Sequence, residues 1–177
     1  MAHPPASPLL LEMHAISKRF PGVLALDSVD FTLEKGEVHV LIGANGAGKS
    51  TLMKVLSGVY RKDSGTIRIE GIPTEIQSAS HAQALGIATI YQSFSQVLHL
   101  TVGENIFLGR EPTRSGLIDY TTLYAEAAAV LDKVRLEVDP RTTIMDLSIS
   151  QRQLVEIAKA LSYDSKILIM DEPTSAL

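Results

Sequence analysis

GANGAGKST, residues 43–51, decides how the rest of the chain is read. A glycine, four residues, then Gly48-Lys49-Ser50 is the spacing of a phosphate loop. The apolar run Val38-His39-Val40-Leu41-Ile42 precedes it, and Leu52, Val55, Leu56 and Val59 follow at helical spacing. Strand, glycine loop, helix is the order in which that spacing has chemical meaning. Gly43, Gly46 and Gly48 free the backbone to curl, so that N–H groups along Ala44, Asn45, Ala47 and Thr51 can turn toward one anion. The helix beginning there adds its partial positive end. Lys49 can reach the β- and γ-phosphates, and the Ser50 hydroxyl can ligate Mg²⁺. The expectation is a bound nucleoside triphosphate.

At 177 residues the chain is long enough for one domain with a sizeable core. With 45% hydrophobic and 20% charged residues it has the composition of an ordinary globular protein. A formal charge of −4 gives no basic footprint for nucleic acid. There is no cysteine, which excludes disulfides and thiolate metal sites and fits a reducing compartment. The five histidines show no metal-ligand spacing, and no apolar run approaches the 18 residues of a membrane span. The opening MAHPPASP has no basic start or apolar stretch, so residues 1–8 read as a disordered lead-in rather than a signal peptide.

Along the chain, Leu9 to Ile16 and Val23 to Leu33 read as strands, separated by a turn at Lys18-Arg19-Phe20-Pro21-Gly22. Asp63-Ser64-Gly65 is a break, and the alternation from Thr66 to Glu70 predicts a half-exposed strand. A short helix from Ser80 is stopped by Gly86, and a buried strand, Ile87 to Tyr91, ends at Gln92. From Thr101 to Leu147 the signals turn helical, with Leu123, Ala127, Leu131 and Val134 on one face and Thr121 or Thr122 as the cap. Arg110 to Gly116 breaks that stretch. Ser150 opens a further helix, and Ile167-Leu168-Ile169-Met170 is a strand running into Asp171-Glu172. This alternation argues for an α/β fold with a largely parallel sheet, interrupted by a helical subdomain over about 101–147. Asp171 emerges where it can hold Mg²⁺ opposite Ser50, and Glu172 can polarise the attacking water as a general base.

Leu147-Ser148-Ile149-Ser150-Gln151 ahead of a helix completes a resemblance. The chain resembles the ATP-binding cassette (ABC) transporter ATPases, and within them the importers of ribose, galactose, xylose and related monosaccharides. FPGVLALDSV, LIGANGAGKSTLMKVLSGVY, LGIATIYQ, LTVGENIFLGREP and QLVEIAKALSYDSKILIMDEPTSAL carry the likeness almost from end to end. It implies a P-loop NTPase (RecA-like) cassette over residues 9–177, with an antiparallel β subdomain beside the parallel sheet and the inserted helices. It further implies that Phe20 stacks on adenine, and that Gln92 links metal and attacking water to a membrane partner. Ser148, Ser150 and Gln151 would grip the γ-phosphate of ATP held by a second cassette, and Ser175-Ala176-Leu177 would begin the loop crossing that interface. The implied partners are transmembrane permease subunits and, through them, a periplasmic sugar-binding protein. The implied location is peripheral, on the cytoplasmic face of the cell membrane.

Three departures accompany the likeness. Ser150 stands where the family has its second signature glycine, which would weaken the grip if that position needs φ > 0 or close approach to phosphate, whereas at φ < 0 serine can serve and even cap the helix. Ser93 replaces a frequently acidic residue. The chain stops at Leu177, before the aspartate, helix, central strand and switch histidine with which family members continue. Several lost ladder bonds at ~1 kcal/mol each rival a domain's margin of about 5–15 kcal/mol, so the expectation is a fragment, marginally stable and weakly active alone. The resemblance thus implies ATP hydrolysis powering monosaccharide import. A nucleotide-binding module with little turnover, and a cassette ATPase acting on nucleic acid or ribosomes, are the alternatives.

Overall fold

The structure is a computed structural model describing residues 9–90 and 95–170. The lead-in 1–8, Gln92, Ser93, Asp171, Glu172 and the last residues, Ser175 to Leu177, lie outside the described residues. The chain divides into two compact units, Met1–Leu85 and Gly86–Leu177.

In the first unit, β1 (Leu9–Phe20) pairs antiparallel with β2 (Val23–Glu34) on one side and with β3 (Ser64–Ile69) on the other. β3 continues into the two-residue β4 (Ile72–Pro73), giving the order β2-β1-β3-β4. β1 runs through Lys18 to Phe20, which pairs with Val23, so the expected turn shrinks to Pro21-Gly22. Proline presets its own φ and Gly22 takes φ 79°, and two residues suffice to reverse the chain. Leu11 and Met13 on β1 and Ile67 and Ile69 on β3 are buried at alternate positions, and Ile16 is buried after a register shift that follows Met13. β3 starts at Ser64, inside the expected break. α1 (Lys49–Leu56) follows the glycine loop and buries Leu52, Val55 and Leu56. Val59 lies beyond its end and is exposed. α2 (Ala79–Ala84) is capped by Ser78, whose side chain accepts the His81 N–H.

One expected strand is absent. Val38, Val40 and Ile42 are 90%, 68% and 90% exposed, and residues 38–42 join no ladder among the described residues. Apolar residues become a strand only where a second backbone supplies hydrogen bonds, and none does so here.

In the second unit, β5 (Ile87–Ile90) and β8 (Ile167–Met170) form a parallel pair, Ile87 beside Ile167 through Ile90 beside Met170. Ile87, Ala88, Ile90, Ile167 and Ile169 are buried, the near-continuous apolar reading of a strand covered on both faces. Between them come α3 (Val102–Ile106), the hairpin β6 (Thr113–Arg114) and β7 (Leu117–Ile118), α4 (Tyr120–Lys133) and α5 (Ile149–Leu161). The expected Pro/Gly break is therefore partly ordered as a hairpin turning at Ser115-Gly116. Val102, Ile106, Leu123, Ala127, Leu131, Ile144, Val155 and Ala158 build one core among the helices. α4 is capped by Asp119 and not by Thr121 or Thr122: one carboxylate oxygen accepts both threonine N–H groups at 3.1 Å. α5 is capped by Ser148 and not opened by Ser150, which lies inside its first turn.

Candidate functional site

α1 begins without a cap. Gly48, its N-cap residue, sits at φ 89°, and no side chain accepts a hydrogen bond from the first turn, which also holds no acidic residue. The other four α-helices among the described residues are all closed by a side chain, from Ser78, Thr101, Asp119 and Ser148. The first N–H groups of a helix need an acceptor, and at α1 no side chain among the described residues supplies one.

The loop preceding α1 curls over this opening. Ala47 N–H bonds to Ala44 O at 3.2 Å, and Gly46 adopts φ 84°. The Lys49 ammonium folds back to donate to Gly43 O at 2.6 Å and Ala44 O at 2.8 Å. A donor with three N–H bonds thus lies beside a helix start that lacks an acceptor, the donor set that a polyphosphate chain fits. Gly48 is required on two counts. A Cβ there would lie 2.6 Å from Ala25 O and 3.0 Å from Leu26 Cδ2, at a φ that L residues rarely adopt. Ser50 and Asn45 are exposed, with Ser50 one residue into the helix where its hydroxyl can meet a cation bound to phosphate. Gly43, Ala44, Gly46 and Ala47 are exposed as well, and Thr51 is half-buried.

Phe20, at the tip of the β1–β2 hairpin, is half-buried against Tyr60 in an edge-to-face pair with centroids 5.1 Å apart. Ser148, Ser150 and Gln151 converge at the start of α5. The Ser148 hydroxyl accepts the Gln151 N–H at 3.3 Å, the Gln151 side chain accepts the Ser148 N–H at 2.9 Å, and the Ser150 hydroxyl is 3.2 Å from that of Ser148. Ser150 has a helical backbone at negative φ, so its Cβ brings no backbone strain.

Sequence reasoning did not find the fastening of the segment after Gln92. Ser95 N–H donates to Glu156 Oε1 at 2.9 Å, Gln96 Nε2 to Arg152 O at 2.7 Å, and Val97 N–H to Asn105 Oδ1 at 2.8 Å. Asn105 is fully buried and its amide also donates to Val97 O and Thr101 O, so a side chain does the work of a neighbouring strand. A buried asparagine in a five-residue helix leaves no periodic signal. Gln92, Asp171 and Glu172 themselves lie outside the described residues.

Comparison with known proteins agrees with this geometry. The family model described as ABC transporter matches residues 26–175. A ribose import ATP-binding protein of Rubrobacter xylanophilus is 58% identical over 168 residues, covering 95% of this chain and 34% of that protein. A putative ribose/galactose/methyl galactoside import ATP-binding protein of Burkholderia ambifaria is 54% identical over 178 residues, covering 99% and 35%. The chain therefore spans about a third of the length of the curated relatives it matches. Among solved structures, an ATP-binding cassette of an ABC transporter in its ADP conformation superposes with a TM-score of 0.80 at 28% identity, covering 96% of this chain and 70% of that one. A dimeric, post-hydrolysis cassette bound to ADP and phosphate gives 0.75 at 25% identity, covering 94% and 75%. The fold is that of a P-loop cassette, with its antiparallel sheet present and its parallel ladder represented by β5 and β8. Phosphate loop, signature stretch and backbone superposition converge, and the chain belongs to the ABC transporter family.

Proposed function

We propose that this chain is the ATP-hydrolysing part of a monosaccharide importer, acting through a separate membrane permease. The observation that carries the reading is the open start of α1, with Lys49 folded beside it. The first N–H groups of α1 would take the β- and γ-phosphate oxygens, and Lys49 would leave Gly43 O and Ala44 O to meet the same charge. Ser50 and Asp171 would hold Mg²⁺, which when bound neutralises charge developing on the phosphate oxygens. Glu172 would take a proton from the attacking water, with Gln92 orienting that water, and Phe20 would stack on adenine. The relatives named for ribose and galactose import support a pentose or hexose as cargo. The dimeric ADP- and phosphate-bound cassette supports a second cassette that Ser148, Ser150 and Gln151 would serve across an interface. No helix among the described residues is long and apolar enough to cross a membrane. The relatives' role as import ATP-binding proteins supports a peripheral place on the cytoplasmic side of a permease fed by a periplasmic sugar-binding protein.

Phosphate release by the transporter containing this chain tests the reading. Lys49→Ala should lower Mg-ATP affinity by about 10-fold or more, the worth of charge-assisted bonds to phosphate, and should remove hydrolysis. Unchanged turnover and affinity would remove the phosphate loop from the mechanism.

A further inference from the structure

α1 joins two chemically different ends. Lys49 stands at its start, and after Leu56 the chain is turned sharply at Gly58, φ 74°. A Cβ at Gly58 would lie 2.3 Å from Ser78 O, so that turn admits only glycine. The N–H groups of Val59 and Tyr60 both return to Lys54 O, at 2.9 and 3.0 Å. The turn delivers the Tyr60 ring to Phe20, centroids 5.1 Å apart and planes at 71°.

A second set of bonds holds the same place. Asp63 N–H donates to Ser17 O at 2.9 Å, Asp63 Oδ1 accepts from Lys18 Nζ at 2.7 Å, and Oδ2 accepts the Arg19 N–H at 2.6 Å. The Lys18 ammonium and the Arg19 N–H hold this carboxyl below its usual range, so the clasp is ionised at neutral pH. Lys18 Nζ lies 5.6 Å from the Phe20 centroid, and Lys54 Nζ lies 5.7 Å from that of Tyr60. Two half-buried rings flanked by two ammonium groups are not core packing, which would exclude the cations. An edge-to-face contact fixes a ring plane, and fixing it beforehand removes an ordering cost from whatever stacks there.

We propose that Tyr60 is a positioning residue for the nucleobase, holding the Phe20 ring in the plane on which a purine stacks. This rests on the reading of Phe20 as the adenine platform. α1 then sets the phosphate end of the site through Lys49 and the base end through Tyr60. Discrimination is between a ligand with a base and one without, because Tyr60 acts only on the base.

Calorimetric titration of the full chain with Mg-ATP and with Mg-tripolyphosphate, which has the charge but no base, tests this. Tyr60→Leu should weaken ATP roughly three- to tenfold, the worth of one aromatic pair, and leave tripolyphosphate unchanged. Tyr60→Phe should keep wild-type affinity for both, since only the ring is used. Phe20→Leu should weaken ATP selectively, and Tyr60→Leu added to it should cost nothing more. If Tyr60→Leu does not fold, Tyr60→Met, which fills the space without a ring plane, takes its place. Equal loss for both ligands, or additive losses in the double variant, would overturn the positioning role. If Phe20→Leu weakens ATP selectively and Tyr60→Leu does not, the inference fails while the platform survives. If Phe20→Leu leaves ATP untouched, the platform reading fails and takes the inference with it.

Discussion

The starts of α1 and α5 are both stretches of small residues leading into a helix, and they are finished in opposite ways. At α1 the N-cap is a glycine at φ 89° with no side-chain acceptor. At α5 the N-cap is Ser148, which with Gln151 forms a closed capping box. A capping box satisfies its own donors and holds its helix whether or not a ligand is present. An uncapped start leaves N–H groups for something outside the chain. On the proposed function, that outside acceptor is the phosphate ligand. The start of α5 is instead held by its own side chains, with the Ser148 hydroxyl engaged by Gln151 and Ser150.

Breaking α1 should have the largest effect. Gly48→Ala forces a Cβ against Ala25 O and a left-handed φ on alanine, at a combined cost of roughly 2–4 kcal/mol. At about 2–4 °C per kcal/mol for a chain of this size, the melting midpoint followed by circular dichroism should fall by several degrees, and ATP binding should go with it. Gly46→Ala provides the scale. Gly46 has φ 84° but open space around it, so only the backbone strain of about 1–2 kcal/mol remains. Equal losses at the two positions would mean that the Ala25 contact decides nothing.

The same contrast marks what was legible beforehand. The loop, its lysine and its helix could be read because spacing and residue type alone specify them. The antiparallel strands could be read because Met13, Ile67 and Ile69 alternate with polar neighbours. Residues 38–42 read as a strand from equally good apolarity and are not one, because pairing belongs to two segments and a sequence window shows one. Caps were half legible. The window held the right residue types at α4 and α5, but Asp119 and Ser148 won over nearer candidates because their side chains reach the N2 and N3 N–H groups. Asn105, Asp63 and Tyr60 left no signal, since each acts on a residue distant in sequence or in a loop.

At α5 the expected effect is smaller, and it is a loss of stability. Ser148→Ala removes one half of the capping box and should cost about 1 kcal/mol, a fall of roughly 2–4 °C in the melting midpoint. In the isolated chain Mg-ATP, binding at α1, should raise both midpoints alike and leave that gap unchanged. A Ser148→Ala midpoint equal to wild type would mean the box is not formed in solution.

A titratable cap gives a finer comparison. The N–H and hydroxyl of Thr122 hold the Asp119 carboxyl below its ordinary value of 3.8. Its folded pKa is lowered, so its contribution is fully present above that ordinary value and is lost as pH falls through the lowered one. Asp119→Asn keeps an acceptor and cannot ionise. The gap in melting midpoint between wild type and this variant should be constant from pH 5 to 7 and narrow below about pH 4. A gap that does not vary with pH would show that the charge on Asp119 contributes nothing to the cap.

Ser150→Gly, which restores the residue the family usually has there, should have the least effect. Ser150 is helical, at negative φ, with its hydroxyl 3.2 Å from that of Ser148. Glycine in a helical backbone loses more conformational freedom than serine, and in the first turn the change should destabilise by at most about 0.5 kcal/mol, a shift of roughly 1–2 °C. If Ser150→Gly instead raised both the midpoint and the rate of phosphate release, the α5 start would carry strain that its capping box conceals. The distinction between an open and a self-sufficient helix start would then fail at the second helix.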